Sequence, residues 1–167
     1  MSPYLLHCSL HFLTILEKFI QIVLGFGSNL GNREGLILSA YKLLEEELGE
    51  LIKKSSFIET SPWGFESDNS FINSVAEFET LKSPFEALAI CNKIEKELGR
   101  KRNPEHKGYQ NRIIDIDILF YEDIILDTPT LKIPHPLIEE RDFVLIPLKE
   151  ILPNLIHPVL KKEIKDI

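Results

Sequence analysis

The sequence has 167 residues, 44% of them hydrophobic and 27% charged, which suits one globular domain able to bury a core without disulfides or a structural metal. Nineteen Lys+Arg against twenty-six Asp+Glu leave a net charge of −7, which disfavours attachment to nucleic acid or to an anionic membrane surface. Cys8 and Cys91 form no CxxC pair and are read as reduced thiols of a cytoplasmic protein, not as part of a zinc site.

In chain order, the apolar stretch Tyr4 to Ile15 is too short to span a membrane and lacks the flanks of a signal peptide. Residues 1–20 are therefore read as an extension, either an extra surface helix or sequence upstream of the functional start, and residues 21–167 as one domain. Ile22-Val-Leu24 predicts a short buried strand, broken by Gly25, Gly27 and Gly31 in a tight turn. A helix follows, with Asn32 as N-cap, Leu36, Ala40, Leu43, Leu44 and Leu48 on one face, and Gly49 as its stop. Two β-type runs, Leu51 to Glu59 and Phe71 to Phe78, flank a loop from Thr60 to Ser70. Ser83 and Glu86 form a capping box and Pro84 takes the first helical position, so a second helix should run to Gly99. Then come a basic loop, a strand Ile113 to Phe120, a turn at Glu122-Asp123, a shorter β run ending near Pro134, and a tail punctuated by prolines. Strand, helix, strand, strand, helix, strand is the split βαβ order of an α+β, ferredoxin-like sandwich in a single domain.

The segment Arg112-Ile-Ile-Asp115-Ile-Asp117-Ile-Leu-Phe120 carries two acids at i and i+2 of a strand. Both carboxylates then leave one face with backbones about 7 Å apart. They can hold one Mg²⁺ or bridge a pair about 3.5–4 Å apart. The bland alternative is a solvated edge strand, but Ile113 and Leu119 on the same face imply partial burial, where unpaired carboxylates are costly. Upstream, Arg100, Lys101, Arg102, Lys107 and Arg112 share a loop with one acid, Glu105. Such a loop is either a solvated charged run or a phosphate clamp, and the neighbouring aspartates favour the clamp. Gly25-Phe-Gly-Ser-Asn-Leu-Gly-Asn32 lacks the Lys-Ser/Thr ending of a P-loop and the spacing of a dinucleotide fingerprint. It also resembles the turn of nucleotidyltransferases, whose acids, however, follow closely. His135 sits between Pro134 and Pro136, which fix its backbone; alone it reads as structural or exposed.

Taken in order, Gly27-Ser-Asn-Leu30, Thr60-x-Pro-x-Gly64, Phe71-x-Asn73, Arg100-x-Arg102, Arg112-x-x-Asp-x-Asp117, Pro134-His135 and Arg141-x-Phe143 resemble the 6-hydroxymethyl-7,8-dihydropterin pyrophosphokinases, from about Ile22 through Pro153. The resemblance implies diphosphate transfer from ATP to a hydroxymethyl dihydropterin, releasing AMP, in folate biosynthesis. It implies two Mg²⁺ ions at Asp115 and Asp117, with Arg100 and Arg112 assisting the transfer. ATP would meet Arg102, His135 and Arg141, with Asn92 and Ile118 at its base. The pterin would lie between Phe143 and Tyr109, its polar edge read by Asn73 and by the backbone around Thr60, Ser61 and Trp63, near Phe71. The sequence departs from the family at Gln110-Asn111, where Gly-Pro is usual, and at Ser61, Phe71 and Tyr109, where Pro, Tyr and Trp are common. A monomer that binds neither nucleic acid nor membrane is expected. A ferredoxin-like RNA-binding module would need a basic surface, which the charge balance opposes. A kinase for a different small alcohol is the alternative among enzymes.

Overall fold

A computed structural model describes residues 18–64, 66–101 and 111–167. The first strand, β1 (Ile20–Ser28), is longer than expected and runs straight through Gly25 and Gly27. The turn into α1 (Arg33–Glu47) is made instead by Asn29 to Asn32, with Gly31 at φ +68° and the Asn32 side chain accepting the Gly35 N–H. The buried face of α1 centres on Ile37, Ala40, Tyr41 and Leu44, whereas Leu36 and Leu43 lie at its margins. Tyr41 turns inward because its hydroxyl finds Ser74 at 2.7 Å and its ring meets Phe26 edge-on at 4.8 Å.

The run expected over Leu51 to Glu59 is two strands, β2 (Gly49–Lys54) and β3 (Ile58–Thr60), both paired antiparallel with β4 (Phe71–Thr80). Ser55 makes the break. Its N–H donates to the Val75 carbonyl at 2.9 Å while its Oγ accepts the Val75 N–H at 3.0 Å, so a side chain replaces one ladder bond. Helix α2 (Pro84–Glu97) carries the expected capping box at Ser83 and Glu86. The strand expected from Ile113 is β5 (Asp115–Tyr121); Ile113 precedes it and packs against the helix-side core, not beside the acids. A small hairpin of β6 (Leu126–Asp127) and β7 (Lys132–Ile133) and a final helix α3 (Asp142–Ile151) complete the chain's main elements. The extension expected over residues 1–20 falls mostly outside the described residues, as does Cys8; Ile20 already pairs with Thr80.

The sheet order β2-β4-β1-β5, all antiparallel, is that of the split βαβ sandwich. Alternate residues Ile22, Leu24, Phe26, Phe78, Ile116 and Ile118 face the two long helices and pack with Ile37, Leu44, Cys91 and Ile94. Among the described residues, the opposite face is covered only in part. Val23, Val75, Leu119 and Phe120 pack under Val144, Leu145 and Leu148 of α3. Towards the other end of β1 the same face presents Gly25, with the Leu119 side chain against it, and Gly27, and both line a cavity.

Candidate active site

The cavity lies where those glycines remove side chains from the floor. Gly27 pairs with Asp115 on one side and Asn73 on the other; Gly25 pairs with Asp117 and Val75. A Cβ on Gly27 would stand 3.2 Å from Asn73 Oδ1 and 3.6 Å from a Phe71 ring carbon, so this glycine keeps a slot free between amide and ring. About 660 Å³ of empty space, part of it open solvent, lies above this floor.

One end is aromatic. Trp63 from the loop after β3 and Phe143 from the first turn of α3 meet at 6.3 Å between ring centroids, inclined by 61°, and Phe71 forms a third side. Arg141 lies 4.9 Å from the Trp63 centroid and 5.8 Å from that of Phe143, a cation held against two rings. Asn73 is 4% exposed and donates through Nδ2 to Thr60 Oγ1 at 2.8 Å, which leaves its carbonyl oxygen over the slot. Thr60 and Ser61 complete this end.

The other end is ionic. Because Ile116 and Ile118 face the helices, Asp115 and Asp117 emerge together on the cavity side. Asp115 is held at both oxygens: Arg100 Nη1 donates to Oδ1 at 2.6 Å, and Arg112 Nη1 to Oδ2. Burial alone would lower the Arg100 pKa, but Asp115 and Glu95 together raise it above its ordinary value, so this cation is permanent. Burial first, and then the negative charge of Asp115, push the Asp117 carboxyl above the usual carboxylate range. Water limits that rise, since 42% of the side-chain surface stays open.

His135 Nε2 stands 3.8 Å from Asp117 Oδ2. Its Nδ1 lies 2.7 Å from the Pro136 carbonyl, which can only accept, and 3.5 Å from Arg141 Nη1, which can only donate; the shorter contact favours the proton on Nδ1. Burial, helped by Arg141, lowers the His135 pKa and keeps the ring neutral near pH 7.

Asn29, part of the Gly27-Ser-Asn-Leu30 motif but given no role from sequence, organises this end. Its Oδ1 accepts the Arg112 N–H at 2.7 Å, its N–H donates to the Arg112 carbonyl at 3.0 Å, and its Nδ2 donates to Asn111 Oδ1 at 2.7 Å. Ser67 Oγ donates to the same Asn111 oxygen at 2.7 Å. Asn111, where the sequence departs from the usual proline, thus ties the exit of the basic loop to two neighbouring loops.

Of the residues singled out from sequence, Thr60, Ser61, Trp63, Phe71 and Asn73 line the cavity, as do Arg112, Asp115, Asp117, Arg141 and Phe143. Arg100 and His135 touch its ionic end. Ile118 does not line it: the side chain is buried in the helix-side core, so only its backbone could meet a ligand. Asn92 sits instead beside a separate open depression with Lys96, Arg100 and Lys101. Arg102 and Tyr109 lie outside the described residues. Among the described residues, no three His, Cys, Asp or Glu side chains converge on a common metal position. Cys91 is a buried thiol whose pKa burial pushes up to about 12, so it offers no thiolate.

Comparison with known proteins matches residues 23–153 to the family model described as 7,8-dihydro-6-hydroxymethylpterin-pyrophosphokinase. The 2-amino-4-hydroxy-6-hydroxymethyldihydropteridine pyrophosphokinase of Aquifex aeolicus is 46% identical over 145 residues, covering 87% of this chain and 88% of that protein. The protein of the same name from Porphyromonas gingivalis is 41% identical over 138 residues, covering 82% of this chain and 93% of that one. Among solved structures, Plasmodium falciparum HPPK-DHPS crystallised with pteroate superposes with a TM-score of 0.73 at 20% identity, over 89% of this chain. The likeness is one of fold, and the chain spans 42% of that longer protein.

Proposed function

The chain belongs to the 7,8-dihydro-6-hydroxymethylpterin-pyrophosphokinase family, and from that premise we propose that it transfers diphosphate from ATP to 6-hydroxymethyl-7,8-dihydropterin in folate biosynthesis. The observation that carries the reading is the two-ended cavity, an aromatic and amide slot that opens onto paired carboxylates flanked by arginines. A flat ring suits the slot, and a polyphosphate suits the ionic end.

In this reading the pterin ring lies among Trp63, Phe71, Phe143 and Tyr109, with Asn73, Thr60 and Ser61 meeting its polar edge. Its hydroxyl oxygen is aimed at the β-phosphorus of ATP. A bond forms there, the bond from that phosphorus to the α–β bridging oxygen breaks, AMP leaves with the charge, and the hydroxyl proton is released. Arg100 and Arg112 contribute fixed positive charge where negative charge spreads over the phosphoryl oxygens. Arg102, His135 and Arg141 meet the nucleotide; its base falls to Asn92 and the Ile118 backbone.

Asp115 and Asp117 fit a hard divalent cation, because the chain's donors are carboxylate oxygens on one face, and phosphate oxygens and water can fill the remaining positions. Two Mg²⁺ ions held there would neutralise the polyphosphate and polarise its phosphorus–oxygen bonds. The reading extends to a cytoplasmic monomer in which the catalytic domain spans residues 21–167 together with Ile20, the first residue of β1. Among the described residues, no helix is long and apolar enough to cross a membrane.

Calorimetry with Asn73→Ala tests the division of the site. Losing the slot's amide should weaken pterin binding by about 1–3 kcal/mol, because polar groups of a buried ring lose partners. Affinity for a non-hydrolysable ATP analogue should hardly change. Weakened nucleotide binding with intact pterin binding would reverse the assignment of the two ends.

A further inference from the structure

Glu95 lies outside the ring slot, on the inner face of α2, and is 2% exposed. A buried carboxylate is costly unless it is paired and hydrogen-bonded, and Glu95 is both. Its Oε1 accepts Arg100 Nη1 at 2.5 Å and the backbone N–H of Ile116 at 2.9 Å. The same Nη1 continues to Asp115 Oδ1 at 2.6 Å. The Glu95 carbonyl also accepts the Arg100 backbone N–H at 2.9 Å, so one residue grips Arg100 at both ends. Ile116 is the residue between the two aspartates. An apolar side chain of similar volume would take an acceptor from both the Ile116 N–H and the Arg100 guanidinium, so the acid serves two groups of the ionic end at once.

We propose that Glu95 is a positioning residue for diphosphate transfer: it holds the Arg100 guanidinium against Asp115 and pins the backbone between Asp115 and Asp117. This rests on the reading of the ionic end as the transfer centre. Arg100 is 14% exposed at its side chain and is shared between two acids on different elements, α2 and β5. Without the charge on Glu95, the guanidinium would be tied to β5 alone and its direction would follow the Asp115 rotamer. Ground-state affinity should tolerate that freedom, but a transition state that needs fixed donors should not.

The test uses the full chain carrying Glu95→Gln, which keeps an oxygen for the Ile116 N–H and removes the charge. Expected are a fall in kcat of at least about tenfold, a pterin KM within about threefold, and a similar melting temperature. Affinity for a non-hydrolysable ATP analogue with Mg²⁺, measured by calorimetry, should stay within about threefold. Combined with Arg100→Ala, the change should add less than about threefold, because Glu95 acts through Arg100. Unchanged kcat, effects that multiply in the double variant, or an affinity loss that accounts for the whole defect would each overturn the proposal. If Glu95→Gln does not fold, Glu95→Asp, which withdraws the charge by one methylene, is measured on the same terms, and full kcat there overturns it. An unaltered chain that makes no AMP from ATP and the pterin would mark failure of the functional reading instead. The proposal alone fails when the unaltered chain makes AMP and Glu95→Gln makes it equally fast.

Discussion

Asp117→Asn is expected to lower turnover by more than about a thousandfold, some 4 kcal/mol of barrier, and yet to raise the melting temperature of the metal-free protein at pH 8. The first effect follows from removing half of the carboxylate charge that the chain offers a divalent cation. The second follows from the direction of the Asp117 shift, which burial and the charge of Asp115 drive upward. A carboxyl whose folded pKa exceeds its unfolded one contributes stability in its protonated form. That contribution is complete below the ordinary range near about pH 4 and is lost as pH rises through the raised value. Asparagine cannot ionise, so the variant's advantage should be absent in acid and should grow towards pH 8. The partly open side chain keeps it small, about 1–3 °C for a domain of this size. Asp115→Asn should be equally inactive but less stable, because Asp115 balances both Arg100 and Arg112. Steady-state rates and melting curves in chelator at pH 5 and pH 8 check both. More than about a tenth of wild-type turnover in excess Mg²⁺, or a lower melting temperature for Asp117→Asn at pH 8, would contradict the account.

Gly27→Val should weaken pterin binding at least about a hundredfold, near 2.7 kcal/mol, while leaving the ATP analogue within about threefold. A first side-chain carbon would already stand 3.2 Å from Asn73 Oδ1, and the valine methyls would fill the slot between that amide and Phe71. Valine is at home in a strand, so β1 should persist and the loss should be local to the slot. Titration calorimetry with each ligand separates the outcomes. Pterin affinity within about threefold of the unaltered chain would show that the ring does not lie over Gly27.

Much of this was legible because local chemistry and tertiary use agree. The capping box at Ser83 and the alternation through Asp115 and Asp117 specify α2 and β5 without help from the rest of the chain. Legibility ended where a residue serves something distant in sequence. Gly25 and Gly27 read as strand breakers by propensity, but β1 sits between β4 and β5, and pairing on both sides overrides that preference. Ser55 interrupts a run of strand formers because its side chain competes for Val75. Tyr41, rather than Leu43, faces inward because its partner Ser74 lies on β4. Asn29 lies in the Gly27-Ser-Asn-Leu30 motif but was assigned no role, and Glu95 carried no motif, since their partners at residues 111, 112 and 116 meet them only in the folded chain. Within the site, the two aspartates, Asn73 and the Arg141-x-Phe143 pair line one cavity, whereas Ile118 turns its side chain away from it.

The identity of the nucleotide product tests the central claim most directly, because an ionic end of two aspartates and several arginines could serve attack on either the β- or the γ-phosphorus. Purified protein incubated with ATP, Mg²⁺ and 6-hydroxymethyl-7,8-dihydropterin should release AMP and a diphosphorylated pterin in equal amounts, and should release neither without the pterin. ADP with a monophosphorylated pterin, or no nucleotide turnover at all, would contradict it.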